Sequence, residues 1–139
     1  MAKQIILKGH KISKGKAVGE AVVTHEAIEF RGRINPETGQ ITDAGSELDG
    51  VILNGKILVY PMGKGSTQGA WTLYELACRK IAPAGIINTK AVPIDATGAI
   101  AAKVPMVDRL DGDPVKLIKT GDWVEMDATK GIVKITKKG

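Results

Sequence analysis

The stretch from residue 57 to residue 78 constrains the chain most. Ile57-Leu58-Val59-Tyr60 is a short apolar run bounded by turn formers, the pattern of a buried strand. Pro61, Gly63 and Gly65 follow, and then Ala70, Leu73, Tyr74, Ala77 and Cys78 recur at one face of a 3.6-residue period. A strand that passes through a glycine turn straight into a helix commits this part of the chain to a strand–turn–helix unit. Ser66 or Thr67 is the natural N-cap, and Pro83 ends the helix. Gly85–Ile87 then reads as a second strand. Asp95 is placed to cap a small-residue helix running through Ala102, with Pro105-Met106-Val107 a third strand.

The flanks read as β. Lys3–Leu7 and Ala17–Thr24 are expected strands, separated by a loop over Gly9–Gly15. Phe30–Ile34 and Gln40–Thr42 are expected to pair around Asn35-Pro36-Glu37-Thr38-Gly39, whose Pro and Gly form turns. At the end, Trp123–Asp127 turns back through Asp127–Gly131 into a return strand, Ile132–Ile135. Strands first, a β-α-β-α-β middle and a closing hairpin predict an α/β chain with β/β/α layers, mainly β with two helices packed on the strands.

At 139 residues the chain is expected to form a single domain over 1–139, with a real core. No apolar run approaches the length of a membrane span, and the N-terminal run Ile5-Ile6-Leu7 is too short for a secretory signal. Cys78, the only cysteine, forbids an internal disulfide and fits a cytoplasmic location. The net charge of +5 comes from scattered lysines and arginines, while a nucleic-acid binder clusters them and interleaves aromatics. Lys134, Lys137 and Lys138 read as a solvated tail. A modest positive field suits an anionic small substrate or an acidic partner. His10, His25 and Cys78 cannot build a structural zinc site or hold an iron–sulfur cluster, so any metal chemistry must come from another chain.

The chemistry concentrates in Gly63-Lys64-Gly65-Ser66-Thr67-Gln68-Gly69. Glycines let the backbone bend sharply and approach a ligand. Free N–H groups and the positive end of the helix dipole make such a turn an anion site. The same donors would stabilise a serine alkoxide, the form that acts as a base. The spacing is neither that of a phosphate-binding P-loop nor that of a Gly-x-Ser-x-Gly nucleophile elbow. On the motif alone the simplest reading is that Ser66 caps the helix and the glycines make a tight turn.

Gly55 through Gly69, followed by Tyr74-Glu75-Leu76, resembles the signature of aconitase X small subunits. So do Pro83-Ala84-Gly85-Ile86-Ile87-Asn88, Gly98-Ala99-Ile100-Ala101-Ala102 and Pro105-Met106-Val107. Phe30-x-Gly32 before Asn35–Gly39 is similar too, although Arg33 stands where that family usually has a second glycine. The resemblance runs in order along nearly the whole chain. It implies a swivelling β/β/α domain that binds no cofactor itself and pairs, as a heterodimer or larger assembly, with a large subunit holding a [4Fe–4S] cluster. It further implies removal of water from 5-phosphomevalonate in a modified mevalonate pathway of archaea, or, in a related branch, from cis-3-hydroxyproline. The family's serine base maps onto Ser66, with Gly63, Lys64, Gly65, Thr67 and Gly69 forming the substrate-binding turn. Dehydrating a β-hydroxy acid needs a base for the carbon-bound proton and a Lewis acid for the departing hydroxyl. This chain can supply the first and lacks ligands for the second.

Other residues carry weaker expectations. Cys78, on the apolar helix face, is expected in the core. His10 and His25 read as surface or structural residues without a visible partner, with His10 in reach of a phosphate, and Lys11, Lys14 and Lys16 read as solvated or phosphate-facing. Arg31 and Arg33 face substrate or partner. Asn88 either bonds within the site or caps a turn, and Trp71 lies off the helix stripe as an interface anchor. Two further classes stand beside the dehydratase. A phosphohistidine-carrying swivelling domain has a similar closing hairpin, but it needs a histidine in its glycine turn, and this turn has none. A non-catalytic domain whose turn binds only an anion or a partner is the other.

Overall fold

The computed structural model describes residues 3–28, 33–64 and 68–138. Within them, eight strands follow the order β1-β8-β7-β3-β4-β5-β6-β2. These are β1 (Gln4–Lys8), β2 (His10–Ser13), β3 (Lys16–Val23), β4 (Ile57–Tyr60), β5 (Gly85–Asn88), β6 (Met106–Asp108), β7 (Trp123–Asp127) and β8 (Ile132–Thr136). The helices are α1 (Gln68–Cys78), α2 (Pro93–Ala102) and the single turn α3 (Pro114–Leu117).

Strand β3 joins two kinds of sheet. Its first half, from Lys16 to Glu20, pairs antiparallel with β7, which continues through β8 to β1. Its second half, from Ala21 to Val23, pairs in parallel with β4, and β4, β5 and β6 continue in parallel. The side-chain alternation of the parallel half explains the layering. Val22, Leu58, Tyr60, Ile86 and Met106 face a core shared with Leu73 and Leu76 of α1 and Ala99 of α2. Ala21, Val23, Ile57, Val59, Ile87 and Val107 face the other way, onto Val124, Met126, Val133 and Ile135 of the antiparallel half. Strand β4 is therefore buried on both faces and reads as an unbroken apolar run. Three layers result: strands, strands, helices.

The two helices meet through small residues. A Cβ added to Gly98 would stand 2.9 Å from the Cα of Ala70, so α2 lies against α1 at near-backbone distance. This contact turns α1 so that Leu73 and Leu76 face the core, while Tyr74 and Cys78 are exposed. The expectation that Cys78 packs in the core is thereby corrected. Sequence spacing put the stripe one position too far round the helix, because small residues on α2 carry no apolar signal of where α1 must dock.

Other expectations are also revised. The Gly9–Gly15 segment, read as a loop, contains β2, which pairs antiparallel with β6 at the sheet's edge. Its exposed His10 and Lys11 hid the strand, since an edge strand needs little burial. Asp95 does not cap α2: Val92 holds that position, Pro93 opens the helix, and Asp95 is buried in the first turn. Helix α3 was not foreseen; Asp113 caps it by accepting a hydrogen bond from the Val115 N–H at 3.2 Å. Of the expected pairing around residues 35–39 one isolated bridge is present, Ile34 with Ile41, while Gln40 bridges to Ile52 instead and residues 30–32 lie outside the described residues. Lys137 is not a solvated tail residue. Its Nζ donates to the Leu117 carbonyl at 2.6 Å and pairs with buried Asp122. Among the described residues no helix is long and apolar enough to cross a membrane.

Candidate active site

Strands β4, β5 and β6 end side by side on Tyr60, Asn88 and Asp108, and all three residues are buried. In parallel sheets the crevice beyond the carboxyl ends of the strands is where ligands bind. The glycine turn leaves from the first of these ends.

Its opening is clamped by backbone bonds. Gly63 bridges to Ile28, the Ile28 N–H donates to the Met62 carbonyl at 3.2 Å, and the Lys64 N–H donates to the Ile28 carbonyl at 2.7 Å. Gly63 is buried, whereas the Lys64 side chain is exposed and lines a cleft of about 300 Å³ with Thr24, Glu26, Arg33, Asp43 and Ser46. Arg33 is paired there with Asp43 at 2.6 Å. Lys64 and Arg33 thus share one cleft beside the turn. Gly65, Ser66 and Thr67, and with them the expected helix cap, lie outside the described residues, as does Arg31. Helix α1 begins at Gln68, and Gly69 is its second residue.

Beneath the turn sits a buried polar cluster. The Tyr60 hydroxyl donates to Asp95 Oδ2 at 2.7 Å, and the Asn88 amide Nδ2 donates to the Tyr60 carbonyl at 3.1 Å. Burial pushes the Asp95 carboxyl above its ordinary value, with the Tyr60 hydroxyl pulling against it. Burial first, and the adjacent carboxylate second, hold the Tyr60 phenol well above its ordinary value, so it stays protonated and donates. Among the described residues Asn88 Oδ1, Thr89 Oγ1 and Asp108 Oδ1 are buried without a hydrogen-bond partner, and all three belong to the same strand ends. Tyr60 and Asp95 were not singled out from sequence as a pair. The available signal was a tyrosine closing an otherwise apolar strand, because a buried phenol needs a polar partner.

The remaining candidates scatter. His10 is exposed on the edge strand, opposite Asp108 in register, and Lys11, Lys14 and Lys16 are exposed. His25 has a partner after all: its backbone N–H donates to Glu47 Oε1 at 2.8 Å and its ring Nδ1 lies 3.2 Å from Oε2. Trp71 is 67% exposed, edge-on to Tyr74, over an apolar groove between α1 and α2 lined by Ala70, Ile94, Thr97 and Ala101. No group of three or more His, Cys, Asp or Glu among the described residues could hold a metal ion, and one exposed cysteine does not fit an iron–sulfur cluster.

Comparison with known proteins gives one consistent answer. The family described as aconitase X swivel domain matches residues 6–135. A Methanocella arvoryzae protein named phosphomevalonate dehydratase small subunit is 46% identical over 94% of this chain and 98% of its own length. The Thermococcus kodakarensis protein of that name is 47% identical over 96% of this chain and 98% of its own. Among solved structures, the crystal structure of Thermococcus kodakaraensis aconitase X in its holo-form superposes with a TM-score of 0.90 at 47% identity, covering 96% of this chain and 99% of that one. The solution structure of a UPF0107 protein gives 0.87 at 39% identity, covering 96% and 100%.

Proposed function

The chain belongs to the aconitase X swivel-domain family, and from that premise we propose that it works as the small subunit of a phosphomevalonate dehydratase. It is a hydro-lyase subunit, active only with its large subunit, and acts on 5-phosphomevalonate in the cytoplasm to leave anhydromevalonate phosphate. The observation that carries this reading is identity of 46–47% to relatives of that name over almost their whole length. A partial or fold-level likeness would carry far less.

In this reading Ser66 is the base that takes the carbon-bound proton, and the turn from Gly63 to Gly69 binds the anionic substrate. Lys64 and the turn's N–H groups favour the serine's anionic form. Lys64 and Arg33, on one cleft, suit the phosphate end of the substrate. In this reading the [4Fe–4S] cluster is carried by the large subunit.

The large subunit is expected to cover the Trp71 face, because an exposed tryptophan over an apolar groove is a strong interface anchor. Trp71→Asp should weaken assembly at least 10-fold, on the order of 2 kcal/mol, by calorimetric titration with the large subunit. The chain's own unfolding midpoint should not move. Unchanged affinity would remove this face from the interface.

The direct test mixes the chain with its large subunit and follows dehydration of 5-phosphomevalonate. Activity on cis-3-hydroxyproline instead would keep the family and overturn the substrate. A complex that forms and turns over neither would favour the non-catalytic binding domain.

A further inference from the structure

Helix α2 touches both ends of the segment that runs from the glycine turn into α1. At one end, the Asp95 carboxyl occupies the space where a Gly63 side chain would begin. A Cβ built on Gly63 would fall 2.5 Å from Asp95 Cγ and 2.6 Å from Oδ1. At the other end, Gly98 packs on Ala70. Asp95 and Gly98 are three residues apart in one helix and therefore share a face. Asp95 is itself fixed from below by Tyr60, on the strand from which the turn departs. Asn88 ties the neighbouring strand to that same tyrosine. Ser66 lies in sequence between the two points of contact.

We propose that α2 holds the chain at Gly63 and at Ala70, on either side of Ser66 in the sequence, and that Asp95 is a positioning residue for catalysis. The proposal rests on the reading of Ser66 as the base. Asp95 acts through Gly63: its carboxyl sets the height of the turn over the strand ends, and Gly63 must be glycine because that carboxyl fills the space. The geometry accounts for a buried carboxyl that neither caps its helix nor pairs with a cation among the described residues. Burying such a group is costly unless it is hydrogen-bonded. Tyr60 gives it one hydrogen bond, and the contact with Gly63 gives it a task. A misplacement of about 1 Å in a catalytic group costs on the order of 10²-fold in rate.

The test is a double-mutant cycle on the two-subunit enzyme. Asp95→Ala should lower kcat about 10- to 100-fold and leave KM within about threefold. Asp95→Asn can still accept the Tyr60 hydrogen bond at the same volume and should stay within about threefold of wild type. Gly63→Ala should lose at least 10-fold alone. Combined with Asp95→Ala it should be no worse than Asp95→Ala by itself, because the space has been vacated. Wild-type kcat in Asp95→Ala, equal losses in Asp95→Asn and Asp95→Ala, or fully additive losses in the double variant would each overturn the proposal. The same four chains are also compared by unfolding midpoint, which needs no turnover: Asp95→Ala should relieve the destabilisation by Gly63→Ala, and failure to do so overturns the contact. Wild-type and Ser66→Ala complexes run alongside. A wild-type complex inactive on both hydroxy acids, or an active Ser66→Ala complex, overturns the functional reading, and the unfolding cycle still decides the contact.

Discussion

Ser66→Ala, assembled with the large subunit, is expected to lower kcat for 5-phosphomevalonate dehydration by about 10²- to 10⁴-fold, the range over which positioned general bases contribute. KM should change little, because the lost hydroxyl takes its proton in the transition state and adds little to ground-state binding. Assembly and unfolding should stay near wild type. Loss of a helix cap costs only about 1 kcal/mol. The two readings of Ser66 therefore part clearly. A serine that only caps α1 predicts a small fall in stability with kcat intact, and a base predicts the reverse. Lys64→Ala should behave differently again, raising KM and lowering kcat together, if its ammonium both meets the anionic substrate and favours the alkoxide. Near-normal turnover in Ser66→Ala would sink the catalytic assignment.

The second large effect concerns stability. Asp122→Ala is expected to destabilise the chain by about 3 kcal/mol, because it strips several bonds from one buried acceptor. Asp122 accepts from the Lys119 N–H at 2.8 Å, the Lys138 N–H at 2.9 Å and Lys137 Nζ at 2.5 Å. It thereby joins the end of α3, the entry to β7 and the tail beyond β8. For a chain of this size the loss corresponds to a fall of roughly 10 °C in unfolding midpoint. The effect carries a pH signature. Burial pushes the Asp122 carboxyl up, but the Lys137 ammonium and the two backbone N–H groups outweigh it, so the group titrates below its ordinary 3.8. A carboxylate lowered by folding stabilises fully above its unfolded value, and that stabilisation disappears as pH falls through the folded value. The gap between wild type and Asp122→Ala should be full at pH 6 and shrink as pH drops below about 3.8. A gap independent of pH would mean that packing, not the charge, holds the tail.

Legibility in the sequence followed burial. Strand β4 was readable because a strand covered on both faces must be apolar throughout, and Ile57-Leu58-Val59-Tyr60 is. The closing hairpin was readable for the complementary reason: one face of β7 is wet, so exposed Trp123 and Glu125 alternate with buried Val124 and Met126. Strand β2 was not readable, since an edge strand rich in exposed Lys and His satisfies no hydrophobic pattern. Cys78 was misplaced because the position of α1 depends on Gly98, in another helix. Lys137 was misjudged for a similar reason: its partner Asp122 lies on a different strand's approach, and charge patterning along the chain cannot reveal it.

The sequence by itself determined strand β4, the helix α1 that follows it and the small inventory of cysteine and histidine, because each is a local matter of spacing or inventory. Its ordered motifs also pointed to the family, in which Ser66 becomes a candidate base and not merely a cap. Only the tertiary structure decided what lies beneath the glycine turn. Asp95, in a separate helix 32 residues beyond Gly63, comes to rest against it. A contact of that range is set by how α2 packs on α1 and on the ends of the strands, and no local propensity encodes it.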